Sequence, residues 1–102
     1  MAKWADYGIS AVRFNAEGTH IDSVKVHVDY GDGVFGAGEE WARTKVVSAI
    51  DDDEKTFVTI LKKDGNWSKG QEVHTITVNG VKYIRTDKDK TAKDNLDNLP
   101  EF

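Results

Sequence analysis

Three arginines, Arg13, Arg43 and Arg85, and the aromatics Phe35, Trp41, Trp67 and Tyr83 are the residues of this chain best suited to recognition chemistry. A guanidinium group grips phosphate or carboxylate through two parallel hydrogen bonds, so two or three together make an anion site. Arg13 and Arg85 each end a predicted strand, and Arg43 precedes a predicted helix. If the first and last strands are neighbours, Arg13 and Arg85 converge, with Lys82 nearby. Aromatics interleaved with basic side chains on an open β face can stack unpaired bases. A plainer use competes and is favoured. Arg85 pairs with Asp94 or Asp97, Arg13 pairs with a strand carboxylate, and the rings fill a small core. Arg13, Arg43, Arg85, Phe35 and Trp41 are the candidate binding residues.

Catalytic chemistry finds less support. His20, His27 and His74 lack the local spacing of a zinc site and read as strand surface. No serine sits in a Gly-x-Ser-x-Gly elbow. Asp51-Asp52-Asp53-Glu54 reads as a solvated charge run, and the stretch from Asp29 to Gly33 lacks the distal glutamate of a calcium loop. Gly31 to Gly38 lacks the Gly-Lys-Ser/Thr ending of a phosphate-binding loop. The absence of cysteine excludes a disulfide framework, a thiolate metal site and a cysteine nucleophile. The expectation is no enzyme, no cofactor and no metal.

The elements that must position these residues are mostly strands. Tyr7–Phe14 is rich in strand formers. From His20 to Tyr30, Val24, Val26, Val28 and Tyr30 alternate with Lys25, His27 and Asp29, the pattern of a half-buried strand. Ile21 has the wrong parity, which predicts a bulge near Asp22-Ser23. Four glycines between Gly31 and Gly38 predict a mobile loop. Glu39 to Asp53 can be read as helix or strand. The helix is favoured, with Thr44 as cap and Val46, Ala49 and Ile50 on one face. Thr56–Lys62 is a strand closed by a turn at Lys63–Asn66, and Trp67–Gly70 leads on to a hairpin. That hairpin, Val73–Val78 and Val81–Thr86 around Asn79-Gly80, carries the strongest short turn signal in the chain. Lys88 to Lys93 is polar and reads as flexible. Leu96, Leu99 and Phe102 then imply a tail that packs back on the domain.

One domain, residues 1–102, is expected, and its 38% hydrophobic and 31% charged residues place it among ordinary globular proteins. The fold expected is mainly β, bordering on α+β. It would be a curved five-stranded antiparallel sheet or a small, partly closed barrel with one short helix. A net charge of −4 argues against broad coating of nucleic acid. No apolar run is long enough to span a membrane and no signal-peptide pattern is present, so a cytoplasmic protein is expected. A protein partner is the expected ligand of a non-enzymatic binding module. The alternative is a nucleic-acid or nucleotide-binding module that uses the arginine and aromatic face.

Several segments together resemble one family. They are Ile9–Arg13, His20-Ile21, Trp41–Ile50, Tyr83-Ile84-Arg85-Thr86 and Asp94-Asn95-Leu96 followed by Leu99-Pro100. The chain resembles a domain-of-unknown-function family of small uncharacterised bacterial and phage proteins. The resemblance implies a short helix in the middle segment, and it implies no activity and no site residue.

Overall fold

The structure, a computed structural model, describes residues 3–17, 21–86 and 99–102. Its elements are β1 (Tyr7–Phe14), β2 (Ile21–Gly31), β3 (Val34–Phe35), β4 (Glu39–Ala42), α1 (Arg43–Asp51), β5 (Phe57–Lys63), β6 (Asn66–Glu72), β7 (His74–Val78) and β8 (Val81–Arg85). Six strands form one sheet in the order β3-β2-β1-β5-β6, with β4 also paired to β2, and β7-β8 form a separate ribbon.

The main sheet has six strands rather than the five expected, because β3, β4 and β6 join it and β7 and β8 do not, and it is neither all antiparallel nor closed. The sheet is mixed, because β5 runs parallel to β1, with Tyr7 opposite Phe57 and Ile9 opposite Thr59. A parallel partner requires a crossover. Here β4 and α1 supply it, carrying the chain from β2 back to the far side of β1. The sheet is also open rather than barrel-like, since its order ends at β6 and the terminal hairpin stands apart.

Much local detail follows from simple chemistry. Asn79 and Gly80 both have positive φ, as a type I′ turn demands, and Asp64 and Gly65 repeat the device between β5 and β6. The predicted bulge is present: Arg13 faces Ser23 and Phe14 faces Ile21, leaving Asp22 as the extra residue. The Gly31–Gly38 run is a hairpin rather than one loop, because β2 extends to Gly31 and Val34–Phe35 pair back onto it. Trp67–Gly70 belongs to a seven-residue strand, not to a connection.

The helix starts one residue before the expected cap. Ala42 is its N-cap and makes no side-chain cap bond. Val46 and Ala49 press into the main core with Ile9, Val24, Val26, Phe57 and Ile84. Asp51, read from sequence as solvated, is held by Thr75 Oγ1 at 2.6 Å and Lys82 Nζ at 2.6 Å, which ties the helix end to the ribbon. These bonds, that from Lys82 first, hold the Asp51 carboxyl below its usual value of 3.8. A depressed folded pKa means the contribution is complete above that unfolded value and vanishes as pH falls through the lower folded value. Acid unfolding should therefore lose part of its steepness below about pH 4 in an Asp51→Asn variant, as read by circular dichroism.

The tail returns as expected at its last four residues. Leu99 is buried, Val12 N donates to Pro100 O at 2.9 Å, and Phe102 N donates to Val12 O at 3.0 Å. Leu96, the polar run Lys88–Lys93, His20 and the proposed partners Asp94 and Asp97 lie outside the described residues. Among the described residues no helix is long and apolar enough to cross a membrane.

Candidate functional site

A groove opens where β1 and β5 part. The two strands pair only over Tyr7–Ile9 and Phe57–Thr59. β2 occupies the other edge of β1 along its whole length, so beyond Ile9 the free edge is taken by the tail, through a parallel bridge of Val12 to Glu101. Leu61 and Lys62 of β5, Trp67 of β6 and Pro100–Phe102 of the tail therefore flank a cavity of about 400 Å³, with Ser10, Ala11 and Lys25 completing its lining.

Cations stand over rings at this groove. Arg13 Cζ lies 4.5 Å and Lys25 Nζ 5.5 Å from the centre of the Phe102 ring, and Lys62 Nζ lies 5.3 Å from the centre of Trp67. Such contacts are worth about 0.5–1 kcal/mol when exposed and orient the charge over the ring face. Arg13 also donates to Phe102 O at 3.1 Å and meets a strand carboxylate, Glu40, at 3.3 Å.

Two buried polar groups lie on the same side of the sheet. His27 is 6% exposed, not a surface residue, because Trp67 packs on its ring at 5.2 Å. Its Nδ1 is 2.8 Å from Gly36 O and its Nε2 is 2.7 Å from Ser10 Oγ. Asp29 is 1% exposed and accepts from the backbone N–H groups of Trp4, Ala5 and Gly31. The alternating pattern of β2 thus misled at this point. The N-terminal Trp4-Ala5 segment, Phe35 and Trp67 cover the face expected to be open, forming a second apolar cluster with Val58 and Ile60.

The five expected site residues do not assemble into one face. Phe35 packs against Trp4 and Trp67 in that second cluster. Trp41 packs against Tyr7 and Phe57 on the helix side of the sheet, with Lys45 Nζ 4.2 Å from its centre. Adjacent residues on β5, Phe57 and Val58, belong to the two clusters, so the sheet separates Phe35 from Trp41. Arg43 stands 5.9 Å from the Tyr83 ring and lines a separate depression of about 420 Å³ beside Gly80–Lys82. Arg85 is 5% exposed, opposite His74 in the ribbon. His74 sits 3.5 Å from Glu72 and is not on a strand paired with that of His27.

Ser10, Lys25, His27, Lys62 and Phe102 were not singled out as binding residues from the sequence. Only Lys25 and His27, two apart on the polar parity of β2, carried a signal that could have found them. Among the described residues no group of three metal-ligating side chains converges. Among curated proteins and among solved structures, none matches the chain. The sequence model of the family described as "Protein of unknown function (DUF3892)" matches residues 8–100, and the chain belongs to that family.

Proposed function

We propose that this chain is a non-enzymatic binding module for a protein partner, and that it takes an extended acidic segment along the open edge of β6. The observation that carries this reading is β6 itself. It is the last strand of the sheet, no described strand pairs with its outer edge, and six of its seven residues are exposed. An exposed edge offers a row of unpaired N–H and C=O groups, and strand addition satisfies them with a partner backbone.

Charge supports the choice of an acidic segment. Lys69 faces Ile60 and Trp67 faces Lys62 across the β5–β6 ladder, so Lys62, Trp67 and Lys69 share the groove side of the sheet. Lys25 and Lys62 line the groove beside a single side-chain carboxylate, Glu101, and Lys69 lies on the same face of β6, on a chain whose net charge is −4. A cytoplasmic setting and a bacterial or phage origin belong to the same proposal.

The rings of Trp67 and Phe102 under Lys62 and Arg13 favour a second reading, a nucleic-acid or nucleotide ligand stacked at the groove. Titration with an acidic octapeptide, a basic octapeptide and a short single-stranded oligonucleotide, followed by tryptophan fluorescence, separates the two. The acidic peptide alone should bind, and Lys69→Glu should weaken it at least tenfold. Salt-sensitive oligonucleotide binding without peptide binding would reverse the choice.

A further inference from the structure

Ser10 and His27 form a nucleophile–base pair that the binding function leaves unused. A backbone carbonyl can only accept, so the 2.8 Å contact with Gly36 O places the proton of neutral His27 on Nδ1. That leaves the Nε2 lone pair facing Ser10 Oγ at 2.7 Å, where the hydroxyl donates. The ring is held by burial and by Trp67. The register of β1 shifts between Ile9 and Ala11, so Ser10 is the extra residue of a bulge, a device that re-aims a side chain. Nucleophile, base and an orienting third group in hydrogen-bond reach are the geometric signature of an activated hydroxyl.

Access comes from the groove. Ser10 lines it, and Leu61, Trp67 and Pro100 give it apolar walls suited to an acyl chain. We infer that Ser10 is a covalent acceptor for one acyl group, delivered by an activated acyl ester that enters the groove. In the step, Ser10 Oγ bonds to the acyl carbon and the bond from that carbon to the leaving oxygen breaks. The Ser10 proton passes to His27 Nε2 and then to the leaving oxygen, with no change of oxidation state. The product is an acyl-serine made once per chain, which goes beyond the non-enzymatic reading without needing turnover.

The test uses p-nitrophenyl butyrate with the intact protein, followed by peptide mapping. One butyryl adduct on Ser10 and one equivalent of p-nitrophenolate are expected. Ser10→Ala should abolish the adduct, and His27→Gln, checked for its fold by circular dichroism, should slow it at least tenfold. A merely structural hydrogen bond would leave the labelling rate unmoved. If the His27 variant does not fold, Ser10→Cys supplies a second reading. Its iodoacetamide alkylation should outpace that of an exposed Ser68→Cys reference by about tenfold, because the imidazole promotes the thiolate. Adducts on lysines only, no adduct, an unchanged rate in His27→Gln, or a Ser10→Cys thiol no faster than the reference would overturn the inference.

Discussion

An Asp29→Ala variant is expected to lose about 3 kcal/mol or more, because it strips the acceptor from three backbone donors, two of them buried. The carboxylate accepts from Trp4 N at 2.9 Å, Ala5 N at 3.3 Å and Gly31 N at 2.7 Å. It thereby pins the N-terminal segment across the sheet and closes the β2–β3 turn. A loss of this size should lower the melting temperature by more than about 10 °C in a domain this small. Asp29→Asn keeps one acceptor oxygen in place and should lose markedly less. Equal and small losses in both variants, measured by urea unfolding, would mean that water replaces the carboxylate and that the turn is held by other bonds.

Removing residues 99–102 is expected to have an effect of similar size. Leu99 is buried in the main core with Ile9, Val12 and Val46, and a buried leucine contributes roughly 1.5–3 kcal/mol. Both backbone groups of Val12 would also lose their partners, Pro100 O and Phe102 N. The truncation takes away one wall of the groove as well, so the emission of Trp67 should shift along with the melting temperature. A truncated protein with an unchanged melting curve would show that the tail adds contact without stability.

What the sequence disclosed and what it hid divide along physical lines. Local, strongly patterned features were legible: Tyr7–Phe14 as a strand, the Asn79-Gly80 turn, the extra residue at Asp22 and the apolar return at Leu99. Each depends on neighbours within a few positions. β4 and β6 were not legible because Glu39-Glu40 and Ser68–Glu72 are exposed and polar, with no alternation to announce a buried face. Their strand character comes from the ladders they join, which overrides weak intrinsic preference. The parallel pairing of β1 with β5 depends on contacts some fifty residues apart, beyond any local pattern.

The candidate site was hidden for the same reason. Ser10 and His27 are separated by 17 positions and meet through the pairing of β1 with β2, in which Ser10 is the extra residue of a bulge. The side chains of Phe35 and Trp41 look alike in the sequence, yet the sheet stands between them, and only a settled register reveals that. The expected pairing of Arg13 with a strand carboxylate did come to pass, with Glu40 on β4. That contact uses part of the charge that a nucleic-acid face would need.

If β6 is the docking edge, backbone amide exchange across Asn66–Glu72 will report the partner's arrival. Residue-resolved exchange is measured with and without a saturating acidic octapeptide. Strand addition predicts that outward-facing β6 amides, which no described strand pairs in the unliganded protein, become protected while those of α1 do not change. Saturated binding with no new protection anywhere in β6 would rule out docking at this edge and place the partner on another surface.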